Sequence, residues 1–479
     1  MYLELDGSGP LHGQLTRALK SAMYTGSVHV GARLPATRLL ARELGISRNT
    51  VLAAYEQLRA EGFVDGRVGS GSYVTPPLQS MASAPVPAEP IEPQSAYARR
   101  SREYQEQARF FRQRPPPARY AFHYASPSTN PTLTSAWARE LSHAALYTPP
   151  GYPTAQGLPA LRAAVCDYLG RRRGVQAQPD DILIVGGTQQ AMALTARVLL
   201  DEGADVAIED PQYSAIRTVL KVHGARLTPI PVDEQGLRVD MLPNKPPRLV
   251  CVSPSHQFPM GSVLSLSRRM ALLEYAHRHK CWIFEDDYDG EFRYDTKPLA
   301  ALRSLDDAGR VIYIGTFSKA LFPSVRLGYI VMPTQLRSDF IIAKWLDDFG
   351  APTVEQAALA NFMANGGFER HLRRTAKTLK ERRTVLLDGL RRHAGDRIEI
   401  ADSHAGMHLV AWLRGKNREQ GEAFIAHART LDMELTSVSQ FCIDPPDRAG
   451  LLLGFASMSV NEIEQAVLRF ARCLDEMQV

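Results

Sequence analysis

The sequence predicts a multidomain protein: a mostly helical winged helix-turn-helix module at the N-terminus, then a large α/β domain that ends in a smaller α+β subdomain. Three observations carry this reading. Through the first 60 residues apolar side chains recur at helical spacing, with glycine or serine at the segment ends. From about residue 150 onward, helical segments alternate with short continuous apolar runs, the pattern of a largely parallel sheet. Between the two lies a proline-rich stretch, and 479 residues exceed the roughly 250–300 that one hydrophobic core organises.

In the first module Leu11, Leu15, Ala18, Leu19 and Ala22 form the apolar stripe of a first helix that Gly26 ends. A second helix runs from about Thr37 through Leu39, Leu40 and Leu44 and stops at Gly45. Ser47 then caps a third, Arg48 to Glu61, whose apolar face is Val51, Leu52, Tyr55 and Leu58. Two helices joined by Gly45-Ile46-Ser47 have helix-turn-helix spacing. A hairpin follows, Phe63-Val64 and Ser72 to Val74, with Asp65-Gly66 as its turn and Arg67, Gly69, Ser70 and Gly71 at its tip. Ser47, Arg48, Asn49 and Thr50 open the third helix, where Arg and Asn can read guanine and adenine edges, while Arg38, Arg67, Gly69 and Ser70 suit phosphate contacts. Charge agrees with double-stranded DNA as a partner. Residues 1–119 hold 15 Lys/Arg against 10 Asp/Glu, and the remainder holds 41 of each, so the whole excess of +5 lies at this end.

Nine prolines fall between Pro76 and Pro117, among Ala, Ser, Gln and several arginines, which predicts an extended connector over 76–118. The boundaries expected are therefore 1–75, 76–118 and 119–479, with the small subdomain over about 360–479. Five widely spaced cysteines without a CxxC read as small buried side chains in a reducing compartment. The acidic start and the lack of an apolar run near 18 residues point to a cytoplasmic protein with no membrane partner.

In the large domain, Leu158 to Leu169 and Gln189 to Leu200 read as helices. Ile182–Val185, Val206–Ile208, Leu249–Val252, Trp282–Phe284, Val311–Ile314 and Tyr329–Val331 read as strands. Polar residues gather just after these strands, where such sheets bind ligands. Gly186 to Gln190 opens a helix whose N-terminus and Thr188 hydroxyl suit a phosphate. Tyr213, after Asp210, can stack on a flat ring. Glu285-Asp286-Asp287 follows a strand, and an acid buried there needs a cationic partner, such as a protonated ring nitrogen at Asp286 with Tyr288 at a ring hydroxyl. A metal at these acids lacks histidine ligands at useful spacing. Lys319 sits between an apolar strand and an apolar turn, and desolvation there favours the neutral, nucleophilic amine. Thr316, Ser318 and Arg326 surround it with anion donors. Together these specify pyridoxal 5′-phosphate bound to Lys319 as a Schiff base.

Two resemblances extend this reading. Gly31 to Gly62 with Gly69 to Val74 resembles the DNA-binding domain of the GntR family of bacterial regulators. The region from about residue 119 resembles the fold-type I aminotransferases, the PLP-dependent transferase fold. That likeness implies Lys319 as the reactive lysine, Asp286 at the pyridine nitrogen and Tyr288 at the ring oxygen. It further implies Thr188, Gln189, Thr316, Ser318 and Arg326 at the phosphate, Tyr213 stacked on the ring, and Tyr152 reaching the partner's phosphate in a homodimer. The sequence departs from that family where Phe258 replaces the Asn of an Asn-Pro-x-Gly loop. No counterpart is evident for the arginine that grips a substrate carboxylate: Leu435–Ile443 has none, Arg448 lies in a turn, and Arg217 is a weaker alternative. A GntR-like module joined to an aminotransferase-like domain is similar to the MocR subgroup of transcription regulators. This implies a regulator that senses an amine, an amino acid or PLP; the alternative is an active aminotransferase whose DNA-binding module controls its own gene.

Overall fold

The computed structural model describes residues 3–67, 71–75, 95–104, 118–124, 131–294, 299–401 and 403–478. The chain divides into two compact units, Met1–Glu92 and Pro93–Val479.

The first unit has helices α1 (Leu11–Tyr24), α2 (Thr37–Leu44) and α3 (Arg48–Ala60), then strands β1 (Val64–Arg67) and β2 (Gly71–Val74). Leu15, Leu19, Met23, Leu40, Val51, Ala54, Tyr55, Leu58, Val64 and Val74 close one core. Gly45 stops α2 at φ 66°, which only a residue without Cβ adopts freely. The expected face of α3 needs one correction. Leu52 is exposed and Ala54 takes its place, because positions 51, 54, 55 and 58 share a helical face from which 52 is rotated by roughly 100°. Leu11 and Leu39 are likewise exposed. The hairpin turn is also corrected. Asp65 and Gly66 lie within β1, paired with Tyr73 and Ser72, because the register is set by Val64 opposite Val74 at the core. Gly69 and Ser70, expected at the tip, lie outside the described residues.

The second unit begins with α4 (Ala96–Arg102), inside the stretch expected to be extended. Ser95 caps it, and Arg100 donates from Nε to the Val222 carbonyl at 2.8 Å and from Nη1 to Glu202 at 2.7 Å. The charge on Arg100 thus fastens this segment to the large domain, and no DNA role is needed to explain it.

The main sheet comprises β4 (Ile182–Val185), β5 (Asp205–Asp210), β6 (Arg226–Asp233), β7 (Gly236–Leu237), β8 (Leu249–Val252), β9 (Trp282–Asp287), β10 (Val311–Thr316) and β11 (Gly328–Val331), following β3 (Tyr120–Ala121) in the chain. Their order is β4-β11-β10-β9-β8-β5-β6-β7. β11 runs antiparallel to both neighbours, β6 and β7 are antiparallel to each other, and the remaining pairs are parallel. Strands β4 and β8 are wholly buried, as continuous apolar runs covered on both faces should be. Strands β6 and β7 were not anticipated.

A second, antiparallel sheet is built from β12 (Ile398–Ala401), β13 (His408–Leu413), β15 (Thr436–Ser437) and β16 (Gly450–Gly454), in the order β12-β13-β16-β15. A short β14 (Met433–Glu434) pairs in parallel with β3. With the helices Gly367–His393, Arg418–Thr430 and Val460–Glu476, this sheet forms the α+β subdomain. Among the described residues no helix is long and apolar enough to cross a membrane. Of the five cysteines four are buried, one is half-buried, and all are free.

Candidate functional site

The parallel strands end on one edge of the main sheet, and the segments after β4, β5, β8, β9 and β10 converge there. Because β11 is antiparallel, its beginning lies on that same edge, which delivers Arg326. The result is a cavity of about 320 Å³ lined by Thr188, Gln189, Tyr213, Asp286, Tyr288, Thr316, Ser318, Lys319 and Arg326 among others. Every site residue expected in the large domain thus meets at one place except Tyr152, which is 93 % exposed beside Phe349 and does not line this cavity.

The three acids of β9 separate by strand alternation. Glu285 accepts the backbone N–H groups of Leu302 and Arg303, both at 2.8 Å. Asp287 accepts from Arg173 at 2.6 Å and from the Tyr313 hydroxyl at 2.5 Å. Asp286, on the other face, is buried and lines the cavity, with the Thr188 hydroxyl 3.5 Å away. Burial first, then the charges of Asp287 and Asp289, push its carboxyl up to about 7. Lys319 pulls the other way but does not offset the burial, so a further cation beside Asp286 would be stabilised there.

Lys319 follows β10 on the single helical turn Phe317–Ala320, which Thr316 caps by accepting the Ser318 N–H at 3.2 Å. Burial brings the Lys319 ammonium down from 10.5 to about 8 against the opposing pull of Asp289 and Asp286, so the neutral amine is accessible near neutral pH. At the other end Gly187, at φ 106°, caps the helix Thr188–Leu199 in a conformation other residues rarely adopt, and the Arg326 guanidinium lies against it. Free N–H groups at the start of that helix and a guanidinium together make an anion cradle.

Several lining residues were not singled out as ligands by the sequence: Tyr124, Asp289, Pro323, Met407 and His408. Phe258, noted only as a departure, also lines the cavity, and rings surround it: Phe441 at 4.9 Å, Tyr124 at 5.3 Å, His408 at 5.4 Å and Tyr213 at 5.8 Å. Behind Tyr288 lies His256, whose Nδ1 is 2.9 Å from the Tyr288 hydroxyl and 2.8 Å from Asp289 Oδ2, while Nε2 is 2.8 Å from Ser403 Oγ. His256 and Asp289 sit in stretches of notable polarity after β8 and β9, which is the signal that could have marked them; His408 opens β13 of the second sheet, Met407 precedes it, and neither carries one. The arginines considered for a carboxylate are occupied elsewhere. Arg217 donates to the carbonyls of Cys442 and Gln440, and Arg448 pairs with Glu399 and stacks on Trp412 at 4.6 Å.

In the first unit Ser47 accepts the Thr50 N–H at 3.1 Å, and the two hydroxyls lie 2.9 Å apart. That cap leaves Arg48 and Asn49 exposed at the start of α3, and Arg38 is exposed on α2. Arg67 ends β1, beside the undescribed tip.

The family "Aminotransferase class I and II" matches residues 123–469, and the family "Bacterial regulatory proteins, gntR family" matches residues 11–74. Over 478 residues the chain is 36 % identical to the "Probable rhizopine catabolism regulatory protein MocR" of Rhizobium meliloti, covering 98 % of this chain and 94 % of that one. It is 32 % identical to the "HTH-type pyridoxine biosynthesis transcriptional regulator PdxR" of Corynebacterium glutamicum, covering 83 % and 82 % respectively. Among solved structures, the Pyrococcus horikoshii kynurenine aminotransferase in complex with PMP matches with a TM-score of 0.70 and 26 % identity, over 78 % of this chain and 94 % of that one.

Proposed function

Since the chain belongs to the MocR subgroup of GntR-family transcription regulators, DNA-binding proteins with an aminotransferase class I and II domain, we propose that its large domain binds pyridoxal 5′-phosphate and uses it to sense an amine-bearing effector. Asp286 carries the proposal: a buried acid whose raised carboxyl suits a ring nitrogen, in one cavity with a lysine of lowered basicity and an arginine at a helix N-terminus. The cofactor supplies an aldehyde that exchanges between amines on an electron-withdrawing ring. Lys319 would hold the aldehyde carbon, Asp286 the protonated ring nitrogen and Tyr288 the ring oxygen. Thr188, Gln189, Thr316, Ser318 and Arg326 would hold the phosphate, with Tyr213 against the ring face.

Tyr152 fits a role outside its own cavity, at the phosphate of a second copy. Leu146, Tyr147, Tyr152, Trp345, Leu346 and Phe349 are all exposed, more apolar surface than a monomer usually leaves in water, which supports a homodimer. Arg48 and Asn49 would read base edges of a cytoplasmic operator, with Arg38, Arg67, Gly69 and Ser70 on phosphates and Ser47 and Thr50 holding the helix start.

Regulation then requires that the effector stabilise one closure of the α+β subdomain over another, since a ligand shifts an equilibrium only by its differential affinity. The test is direct. A duplex selected from a random pool by the full-length protein is bound with and without amines that alter the cofactor's absorbance. A change in duplex affinity or bending supports sensing, and altered absorbance with unchanged DNA binding overturns it.

A further inference from the structure

The cavity lining has two groups of opposite character. One is the helix start at Thr188 with the Arg326 guanidinium. The other is a wall of Tyr124, Phe258, Met407 and His408, with Phe258 against Tyr124 and His408. Phe258 is almost wholly buried among its neighbouring rings, so the wall is a packed surface able to hold a ligand rather than a loop that must first fold over one.

His408 adds no positive charge to this wall. Burial, then the nearby His256, brings its imidazole down to about 3, so the ring is neutral under ordinary conditions. Its Nε2 lies 3.0 Å from the Pro259 carbonyl oxygen, which can only accept, so Nε2 carries the hydrogen and Nδ1 is an acceptor. The carboxylates on the lining are Asp286 and Asp289, and its cations among the described residues are Lys319 and Arg326. With the cofactor in place, Arg326 would hold its phosphate, and Lys319 would hold its aldehyde carbon until an entering amine displaces it, the released lysine amine then facing Asp289 and Asp286. Arg217 and Arg383 serve backbone carbonyls elsewhere and do not line the cavity.

A ligand carboxylate entering here would exchange water for aromatic rings, a histidine acceptor and two acids, and desolvating a charge without a counter-ion is costly. An amine bearing only carbon and hydrogen beside its nitrogen avoids that cost and gains from burying its body against the rings. We infer that the effector is a primary amine without a carboxylate next to the amino group, carrying a flat apolar body that lies on the Phe258 wall. This rests on the reading of the cavity as the cofactor site.

The test titrates the full-length protein, loaded with pyridoxal 5′-phosphate, with two matched pairs: 2-phenylethylamine against phenylalanine, and tyramine against tyrosine. Cofactor absorbance and heat of binding are followed. Each amine is expected to half-saturate at a concentration at least about tenfold below its amino acid. Amino acids that bind as tightly as the amines, or more tightly, overturn the inference. Met407→Arg places a cation on the wall and should shrink the gap; a gap left unchanged in a variant that keeps the cofactor band also counts against it. Borohydride reduction followed by mass spectrometry separates the two levels. Failure to fix the cofactor on Lys319 overturns the site reading and the inference together, whereas fixation with tighter amino-acid binding overturns the effector class alone.

Discussion

The two units hold their candidate functional side chains in opposite ways. In the first, Ser47, Arg48, Asn49 and Thr50 are consecutive, and the cap between Ser47 and Thr50 that starts α3 also sets which neighbours face outward. In the second, the cavity draws on residues from Tyr124 to His408 and on two different sheets. A local device is limited by the contacts each residue makes itself. The non-local one balances buried charges against each other, so one substitution disturbs several groups.

The sharpest way to break this contrast is Lys319→Ala. The lysine-linked cofactor band should vanish, while the base preference recovered from a random DNA pool stays the same; an altered preference would mean the two devices are not separate in kind. Next in size is Asp286→Asn, which should cost about 1.5–3 kcal/mol of cofactor affinity, the range for a hydrogen bond to a charged group, read by equilibrium titration. The same change should raise the melting temperature of the cofactor-free protein at pH 8. Asp286 has its folded value raised from 3.8 to about 7, so the unfolded chain releases that proton first and stability falls as pH rises through this window. An amide has no such proton, and calorimetry at pH 8 shows whether the penalty has gone. A binding site that weakens stability when empty is expected of balanced buried charges and not of a surface reader.

Within the first unit, Arg48→Ala should cost about 1–3 kcal/mol of operator affinity and relax preference at one position, whereas Arg67→Ala should weaken all sequences alike and lower the salt slope by about 1. Equal behaviour of the two in salt-dependent binding assays would remove Arg48 from base readout. Ser47→Ala should cost about 1 kcal/mol of module stability by loss of the cap, measured by denaturant unfolding, with little effect on the cofactor. The pH behaviour of Lys319 gives the smallest effect. In the cofactor-free protein its labelling by an amine-selective reagent should rise with a midpoint near 8, not 10.5, because burial disfavours the ammonium.

What could be read in advance followed the range of the forces involved. Strands β4 and β8 match the expected Ile182–Val185 and Leu249–Val252 residue for residue, since a strand buried on both faces is a bare apolar run. Strand β6 was missed because Pro229 and Pro231 argue against a strand, and they are tolerated near the edge of the sheet, where the short β7 is the last neighbour. Asp65-Gly66 looked like a turn on local propensity, but the pairing of Val64 with Val74 overrode it. Lys319 and Asp286 stood out as candidates because a charged residue just after an apolar strand is costly without a partner, and Arg326 as an anion donor a few residues from Lys319.

By itself the sequence determined the two-unit organisation, the helix caps of the DNA reader and the candidacy of Lys319, because propensity, hydrophobic period and burial cost act over a few residues. Only the tertiary structure shows what the other two acids of Glu285-Asp286-Asp287 do, since Arg173, Tyr313 and the 302–303 backbone claim them and leave the expected Asp286 to the cavity. It alone assembled the aromatic wall, by setting His408 of the second sheet and the preceding Met407 beside Phe258 in the loop after β8. Such contacts join residues some 150 positions apart, as His408 and Pro259 do, and no local pattern along the chain records them.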